Sequence, residues 1–265
     1  MKKYLVIGNP IEHSLSPELH NFWIKKNNIN ASYEKKRLDI DQLEKLILDI
    51  RKEKINGINI TVPFKRSILP YIDKLSDEAD KTQSVNTVYL EDGKIIGHNT
   101  DLDGFRLSIE DSKFNLVGKK IFILGAGGVV SSLIMALKRM KVSNIYLSNR
   151  TKIKAEKLKD FYKDIELVNW GEMPEFDMII NATSLGLNCD DRINLNFSKI
   201  GPNKFFYDVI YNPEETHFLK EGKKYGHKIE NGKMMFIYQA YLAFKIWHGV
   251  YPKINDEVIN LLSND

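Results

Sequence analysis

Apolar runs of strand length alternate with helical patterns along the first part of the chain. Three of the runs are rich in β-branched or aromatic residues and predict strands at residues 3–7, 33–38 and 55–62. Helices are predicted between them, the first with Ser16 as N-cap before Pro17 and the second capped by Asp41. Strands and helices in this alternation form the repeating unit of a parallel sheet with right-handed crossovers.

A second alternation follows a predicted β-hairpin. Residues 84–90 and 94–97 flank Asp92-Gly93, a strong hairpin signal, and are followed by a predicted helix from about 102 to 111 and a linker at 113–118. Further strands are predicted at residues 119–124, 144–148, 165–168, 178–180, 204–209 and 228–229. A nearly all-apolar helix from Gly232 and a last helix at 256–262 end the pattern. The chain is therefore predicted to contain two α/β units in series.

The composition is that of a globular protein. Of 265 residues, 43% are hydrophobic and 28% charged, with a formal net charge of +4. Because no basic arm or stripe is present, nucleic acid is a poor candidate partner, whereas a mildly positive protein suits an anionic small molecule. The single cysteine, Cys189, excludes an internal disulfide, and no residues have metal-ligand spacing. Neither a signal peptide nor a run of membrane-spanning length is recognised, so we expect a cytoplasmic protein without membrane association.

The segment from Asn59 to Lys65 has the features of a reactive corner. Pro63 ends the predicted strand because it cannot donate to the ladder, and its fixed φ suits the first turn of a helix. An amide, a hydroxyl and an ammonium therefore occur together where a strand ends, which is where open α/β sheets bind ligands. Within this corner Lys65 is the single cation, so we assign it as the candidate general acid/base.

Other polar residues share this position at the ends of predicted strands. With Asn59 and Thr61 they are Ser14, Ser16, Asn86 and Asp101. Each has a structural explanation when taken alone, such as helix capping by Ser16 or Asp101. Since the carboxyl ends of parallel strands meet at one edge, together they predict a polar rim suited to a polyhydroxy carboxylate. Gln239, an amide in the apolar helix, needs a partner, and a ligand hydroxyl is favoured over a structural group.

A glycine-rich turn opens the second unit. Gly125-x-Gly127-Gly128 lies between a predicted strand and a helix, an arrangement that lets the backbone approach a pyrophosphate; Val130 replaces the third glycine, and a structural turn is the alternative. Where the next strand ends, an acidic residue would favour NAD, but the sequence has Asn149-Arg150-Thr151-Lys152. Two cations at a helix N-terminus are misplaced unless an anion joins them, so NADP is the predicted cofactor.

Taken in order, these motifs resemble the NADP-dependent shikimate dehydrogenase family over nearly the whole chain. The motifs that carry the resemblance are Ser14-Leu15-Ser16-Pro17, Asn59-x-Thr61-Val62-Pro63-Phe64-Lys65, Val85-Asn86-Thr87, Gly97-x-Asn99-Thr100-Asp101-x-x-Gly104, Gly125-Ala126-Gly127-Gly128, Asn149-Arg150-Thr151, Asn181-Ala182-Thr183-Ser184-x-Gly186, Asp208-x-x-Tyr211-x-Pro213-x-x-Thr216 and Gly232-x-Met234-Met235-x-x-x-Gln239-Ala240. Gln83-Ser84 and Val129-Val130 replace small residues usual in the family, without removing a chemical group.

The resemblance implies a role for each motif. Lys65 and Asp101 would form the catalytic pair. The substrate would be held by Ser14, Ser16, Asn59, Thr61, Lys65, Asn86, Asp101, Tyr211 and Gln239. NADP would be held by Gly125, Ala126, Gly127, Gly128, Asn149, Arg150, Thr151, Lys152, Asn181, Ala182, Thr183 and Gly232. The implied domains are a mostly parallel-sheet substrate-binding and catalytic domain, 1–101, completed by helices in 235–265, and a Rossmann-like NADP-binding domain, 102–234.

The activity expected from the resemblance is the reversible, NADP-dependent reduction of 3-dehydroshikimate to shikimate, a step towards chorismate and the aromatic amino acids. Three alternatives stay open. An NAD-dependent quinate/shikimate enzyme shares the fold, but it should carry an acidic residue near Asn149, and none is there. A methylenetetrahydrofolate dehydrogenase would not explain the serine pair or Gln239, and a non-catalytic binding protein would not need both Lys65 and Asp101. A monomer or homodimer without a metal is expected.

Overall fold

Two sheets, each with its own helices, organise residues 1–263, which are the part of the chain that the computed structural model describes. One unit contains Met1–Gly104 and the chain from Ile237 onward, and the other contains Phe105–Phe236. The chain changes unit within helix α5, Asp101–Asp111, so the segment 113–118 lies inside the second unit and is not a linker. It returns within α9, Lys233–His248. The range 235–265 predicted from the sequence extends two residues beyond the described part.

The first unit is built on a mixed sheet. Its strands are β1 Lys2–Gly8, β2 Ala31–Arg37, β3 Gly57–Ile60, β4 Lys74–Leu75, β5 Thr87–Glu91 and β6 Lys94–His98. Its helices besides parts of α5 and α9 are α1 Ser16–Lys26, α2 Leu43–Arg51, α3 Phe64–Ser67, α4 Asp77–Thr82 and α10 Asp256–Leu261. The strand order is β2-β1-β3-β5-β6-β4, and β5 is antiparallel to both neighbours while the other pairs are parallel. Asp92 and Gly93 both have positive φ, which confirms the predicted hairpin.

Helix α2 covers one face of this sheet with the apolar residues that the sequence places at helical spacing. Leu43, Leu46, Ile47 and Ile50 are buried in one cluster with side chains of β1 and β3. The predicted cap of this helix is wrong: Asp39 forms a capping box with Gln42 at a short 3-10 turn, Ile40–Gln42, from which α2 continues. The strand predicted over 55–62 is shorter, because the ladder runs only over Gly57–Ile60.

The predicted N-cap of α1 is also wrong. Leu15 occupies the cap position, and Ser16 is the first helical residue, followed by Pro17. The Ser16 hydroxyl accepts a hydrogen bond from Ser14 Oγ over 3.2 Å and also hydrogen-bonds the phenol of Tyr33. Ser16 therefore does not cap α1. Its hydroxyl contacts other side chains of the first unit instead.

An aromatic cluster joins α1, β2 and α9 within the first unit. His20 stacks on Tyr33, with ring centroids 4.2 Å apart and planes at 4°, and Trp247 lies close to both rings. Burial lowers the pKa of His20 to about 3, so the imidazole is neutral and serves as packing material. Gly57 on β3 permits the approach of Trp247, because a Cβ at that glycine would lie 2.6 Å from Trp247 Nε1.

Substitution of Gly57 by alanine is expected to lower the free energy of unfolding by about 1–3 kcal/mol, the usual cost of overpacking a filled core. The methyl group would force the indole of Trp247 away from the strand. Thermal and urea denaturation measure the effect. Gly201→Ala is the matched control, since its Cβ would meet only the side chain of Lys204 at 3.7 Å, and its stability should stay within about 0.5 kcal/mol of wild type. Equal stability of the two variants would contradict the packing argument.

The second unit is a parallel doubly wound sheet. Its strands are β7 Lys120–Leu124, β8 Asn144–Ser148, β9 Glu166–Leu167, β10 Met178–Asn181, β11 Phe205–Asp208 and β12 Lys228–Glu230. Its helices are α6 Val130–Arg139, α7 Lys152–Phe161 and α8 His217–Lys224, together with parts of α5 and α9. The order β12-β11-β10-β7-β8-β9 is that of a Rossmann fold, with the switch point between β7 and β10. The predicted class, two mostly parallel α/β units, is confirmed.

Among the strands and α-helices of residues 1–263, three short ones were not predicted from the sequence. They are β4, α4 and α8. Both helices are capped by a hydroxyl, Ser76 for α4 and Thr216 for α8, a signal that was available in the sequence. Within residues 1–263, no helix is long and apolar enough to cross a membrane.

Candidate active site

Lys65 and Asp101 form a buried ion pair at the carboxyl edge of the first sheet. Lys65 lies in α3 directly after the corner at Pro63, and its Nζ is 2.5 Å from Asp101 Oδ2. The residues are 9% and 5% exposed, so both charges have lost most of their hydration. The capping explanation for Asp101 is excluded, because Asn99 Oδ1 accepts the hydrogen bond from Leu102 N over 3.2 Å. The Asp101 carboxylate therefore does not cap the helix but hydrogen-bonds Lys65 and Asn86.

Asn86 holds the second oxygen of this carboxylate. Its Nδ2 donates to Asp101 Oδ1 and to Thr100 Oγ1, each over 2.9 Å. Its Oδ1 accepts from Thr100 N over 2.8 Å and from Thr87 Oγ1 over 3.1 Å, which fixes the amide orientation. With Lys65 on Oδ2 and Asn86 on Oδ1, the Asp101 carboxylate has one defined rotamer. Asn86 thus positions the ion pair.

Asn59 lies one step further from the pair. Its Nδ2 donates to Asn86 O over 3.1 Å and to Thr87 Oγ1 over 3.0 Å, while its Oδ1 accepts from Tyr33 OH over 2.7 Å. Burial raises the pKa of Tyr33 well above its ordinary value, so this phenol remains a donor. The donors therefore run in one direction, from Tyr33 through Asn59, Thr87 and Asn86 to the carboxylate.

The remaining predicted substrate residues occupy three other places. Ser14 and Ser16 form the hydroxyl pair described above, with Ser14 half-buried. Thr61 follows β3, is half-buried, and donates its N–H to Ile7 O over 2.9 Å. Gln239 lies on α9 in the first unit, where its backbone approaches Gly104 so closely that a Cβ on that glycine would be 2.9 Å from Gln239 N.

Tyr211 is the one predicted substrate residue in the second unit. It lies in the segment after β11 and stacks on Phe236, with ring centroids 4.5 Å apart and planes at 25°. The stacking leaves it half-buried rather than fully enclosed.

The glycine-rich turn lies at the switch point of the second sheet. Gly125 has φ +112°, and a Cβ there would be 2.6 Å from Ala182 O, so glycine is required where the turns after β7 and β10 meet. Ala126 is half-buried and Gly127 exposed, and a Cβ on Gly127 would come no closer than 3.9 Å to Ala182 O. The turn ends at Gly128, after which Val129 caps α6. It therefore offers an accessible backbone directly before a helix N-terminus.

Arg150, Thr151 and Lys152 are exposed at the start of α7. Asn149 shapes this segment, because its Nδ2 donates to Thr151 O over 2.7 Å. The Lys152 Nζ is 3.7 Å from Glu156 Oε1, an exposed pair that contributes little to stability. Both cations are thus available to an anion that binds after β8.

The turn after β10 is held by Asn181, whose side chain is fully buried. Its Oδ1 accepts from Thr183 N over 3.1 Å and from Thr183 Oγ1 over 2.7 Å, and its Nδ2 donates to Leu185 O over 2.9 Å. Asn181 therefore acts on the shape of the turn, whereas Ala182 and Thr183 supply its backbone. Gly232 approaches another loop, since its N–H donates to Ile210 O over 3.0 Å and a Cβ would collide with Val209 O.

Comparison with known proteins identifies the family of this chain. The model of the shikimate dehydrogenase substrate binding domain matches residues 6–88, and that of shikimate / quinate 5-dehydrogenase matches residues 108–196. The shikimate dehydrogenase (NADP(+)) of Pelagibacter ubique (strain HTCC1062) is 62% identical over 261 residues, which cover 98% of each chain. The chain belongs to the shikimate dehydrogenase family.

Solved structures of shikimate dehydrogenases share the whole fold. The Aquifex aeolicus enzyme is 37% identical, with a TM-score of 0.91 over 100% of this chain and 98% of its own. Shikimate 5-dehydrogenase from Thermus thermophilus, solved in complex with NADP(H) and shikimate, is 29% identical, with a TM-score of 0.90 over 99% of this chain and 98% of its own. The family expected from the motifs is thus confirmed.

The second unit suits the NADP that the shikimate dehydrogenase family uses. Gly125 and Gly127 leave the backbone open before α6, so a pyrophosphate can approach the helix N-terminus. Arg150 and Lys152 present exposed cations after β8, where an NAD enzyme would place a carboxylate. The donor set therefore matches a dinucleotide with a 2′-phosphate.

Four polar residues of these networks were not singled out as site residues from the sequence. They are Tyr33, Thr87, Thr100 and Asp208. Thr87, Thr100 and Asp208 occur within motifs quoted for the family, so their position was a signal. Tyr33 carries no local signal, because an aromatic residue in a strand is ordinarily a core residue.

Proposed function

We propose that this protein catalyses the reversible reduction of 3-dehydroshikimate to shikimate with NADPH, and that Lys65 and Asp101 carry the proton transfer. The single observation that carries the mechanism is the buried contact between Lys65 Nζ and Asp101 Oδ2 at 2.5 Å. The names of relatives support the substrate and cofactor, since the Pelagibacter ubique relative is a shikimate dehydrogenase (NADP(+)) and the Thermus thermophilus enzyme was solved with NADP(H) and shikimate.

When bound, NADPH supplies the hydride that the carbonyl carbon of the substrate accepts. The ammonium of Lys65 donates a proton to the oxygen that becomes the hydroxyl, and in the reverse direction the lysine removes that proton. Asp101 orients the ammonium through Oδ2, and Asn86 holds the carboxylate through Oδ1, so the donor is positioned before the substrate arrives. General acid-base catalysis of this kind accelerates a reaction by about 10²–10⁴-fold.

The substrate is a carboxylate with several hydroxyl groups, and the first unit offers partners for each kind of group. We assign the paired hydroxyls of Ser14 and Ser16 to the carboxylate, because two hydroxyls 3.2 Å apart match its two oxygens. Thr61 and Gln239 are assigned to ring hydroxyls, together with the buried amides of Asn59 and Asn86. Tyr211 is assigned to the substrate on the resemblance to the family alone.

The cofactor is assigned to the second unit in three parts. The turn Gly125-Ala126-Gly127-Gly128 takes the pyrophosphate through backbone N–H groups. The segment Asn149-Arg150-Thr151-Lys152 takes the adenosine 2′-phosphate through its two cations. The turn Asn181-Ala182-Thr183 and Gly232 take the nicotinamide half, since this turn adjoins Gly125 at the switch point and the Gly232 backbone contacts the segment after β11.

Turnover assays test the proposal directly. Oxidation of NADPH is followed with 3-dehydroshikimate, and the assay is repeated with NADH and with 3-dehydroquinate. We expect turnover with NADPH and 3-dehydroshikimate to exceed the other combinations. Preference for NADH and 3-dehydroquinate would identify a quinate enzyme instead, and binding of both ligands without turnover would identify a binding protein.

Substitution of Arg150 by alanine is expected to raise the KM for NADPH by about 10- to 100-fold, the size of one lost charge-assisted hydrogen bond. The KM for NADH should change little, because NADH lacks the 2′-phosphate that the guanidinium binds. Initial rates with both cofactors measure the ratio. Lys154→Ala is the matched control, an exposed cation on the same helix outside the motif. An equal rise for both cofactors would show that Arg150 does not read the phosphate.

A further inference from the structure

Asp208 is a buried carboxylate that the proposed mechanism does not use. It ends β11 and is 0% exposed. Four hydrogen bonds reach its two oxygens: Thr216 Oγ1 donates over 2.6 Å, Ile210 N over 3.0 Å, and Asn181 Nδ2 over 3.0 and 3.1 Å. Donors from three separate chain segments therefore converge on one anion.

One branch of these bonds leads to the turn after β10. Asn181 Nδ2 is held by the Asp208 carboxylate, so its Oδ1 points to Thr183 and accepts from both N and Oγ1 of that residue. Thr183 Oγ1 in turn accepts from Leu185 N over 3.0 Å. The same turn contains Ala182, whose carbonyl oxygen is in contact range of Gly125. The carboxylate thus sets the turn that borders the glycine-rich loop.

A second branch leads to Gly232. Ile210 donates its N–H to the Asp208 carboxylate and accepts from Gly232 N over 3.0 Å. Gly232 also lies against the carbonyl of Val209, which leaves no space for a side chain. Three backbone segments assigned to NADP are therefore connected to Asp208 through short series of contacts: the Gly125 turn, the Asn181–Thr183 turn and Gly232. The 2′-phosphate site is not connected in this way within residues 1–263.

Burial of the charged Asp208 carboxylate lowers the stability of the folded protein. A buried anion without a cation loses its hydration, and this burial raises the pKa of Asp208 to about 6. The groups that face it from other elements are neutral, namely the Asn181 amide from β10, the Ile210 N–H and the Thr216 hydroxyl at the start of α8. On its own strand Tyr207 is titratable, and Glu230 of β12 acts electrostatically on that phenol.

We propose that the ionised carboxylate of Asp208 is the positioning group of the NADP site, holding the Asn181–Thr183 turn and the Gly232 backbone in the conformation that binds the cofactor. The inference rests on the proposed function, since it concerns affinity for NADP. An ionised carboxylate accepts all four hydrogen bonds, whereas a protonated one either directs its hydrogen at the Asn181 and Ile210 donors or makes the Thr216 hydroxyl reverse its hydrogen bond. Affinity for NADP should therefore weaken as pH falls through the pKa of Asp208.

The test compares the dissociation constant of NADP+ for wild type and Asp208→Asn by calorimetry across pH. Near pH 8 we expect the variant to bind about 10- to 100-fold more weakly, as for a lost hydrogen bond to a charged group. Near pH 5 wild-type Asp208 is mostly protonated before NADP+ binds and its own affinity is weaker, so the ratio of the two constants should fall by about 5- to 10-fold from its value near pH 8. Taking the ratio at each pH removes the titration of the cofactor phosphate, which occurs in both proteins.

Two controls separate positioning from stability. Ser108→Ala removes the 3.0 Å contact with Tyr207 OH, next to Asp208 on β11. Glu230→Gln removes the carboxylate of β12, whose pKa is also raised by burial. Neither variant should change the affinity for NADP+ or its pH dependence. Shikimate affinity should also be unchanged in Asp208→Asn. If that variant does not fold, Thr216→Ala should weaken NADP+ binding by up to about 10-fold, with rescue by Thr216→Ser, which keeps the donor.

The outcomes are distinct. A lowered melting temperature with a ratio that does not vary with pH would make Asp208 a structural residue and overturn the proposal, while wild-type binding of NADP+ would leave the proposed function standing. Failure of the wild type to bind NADP+ at any pH would overturn both.

Discussion

Substitution of Lys65 by methionine is expected to lower kcat for shikimate oxidation by about 10³-fold, within the range for loss of a general acid-base group. Methionine keeps the apolar stem of the side chain and removes the ammonium that lies 2.5 Å from Asp101 Oδ2. The affinity for NADP+ should stay unchanged, because the residues assigned to the cofactor are in the other unit. Steady-state kinetics and calorimetry measure the two quantities separately.

Stability must be measured alongside, because the variant leaves the Asp101 carboxylate buried without its cation. Breaking one side of a buried ion pair costs about 3–5 kcal/mol, so a lower melting temperature is expected in addition to the kinetic loss. Lys45→Met is the matched control, an exposed lysine on α2 whose loss should change neither turnover nor stability. Turnover within a few fold of wild type in folded Lys65→Met would remove the lysine from the mechanism.

The architecture was predictable because it depends on patterns that are local in sequence. Fully buried parallel strands such as β7 and β10 consist of apolar runs, and the order of strands and helices then determines a doubly wound sheet. The hairpin at Asp92-Gly93 was predictable for the same reason, since its turn needs two residues that tolerate positive φ. Helix starts were less reliable: Asp39 and Asp41 are both good caps, and the capping box with Gln42 decides for Asp39.

The residues of the polar rim in the first unit were predictable, but the hydrogen bonds between them were not. Strand ends placed Asn59, Asn86 and Asp101 at one edge, as the buried contacts among them show. Their pairings depend on χ angles and on donors remote in sequence, such as Tyr33, which is 26 residues from Asn59. Asn59 and Asn86 were predicted to hold the substrate, yet each also has internal partners for both ends of its amide. Their first effect is therefore on the orientation of Asp101.

A similar division applies to the second unit. The glycines at 125 and 127 could be predicted to bind a dinucleotide because their sequence position after a strand has a mechanical meaning. The family motif that contains Asp208 marked its position but not its role, since an acidic residue at a strand end is ordinarily solvated. Only its burial and the three donor groups around it support the proposal that it organises the surrounding turns.

The second large effect is expected for Asp101→Asn, which should lower kcat by about 10²–10³-fold. The amide has one acceptor oxygen where the carboxylate has two, and because Lys65 Nζ and Asn86 Nδ2 contact opposite oxygens, the same rotamer can accept from only one of them. Its NH₂ group would face whichever donor is left, which displaces the ammonium from its position.

Because the two residues act as one unit, their losses should not multiply. The double variant Lys65→Met/Asp101→Asn is expected to have about the kcat of Lys65→Met alone, since an orienting group has no effect once the group it orients is absent. The double variant should also regain part of the stability lost by the single lysine variant, because no charge is left buried. Asp111→Asn, an exposed carboxylate at the end of the same helix, is the control. Multiplicative losses would mean that Asp101 contacts the substrate independently, and the positioning role assigned to it would then be wrong.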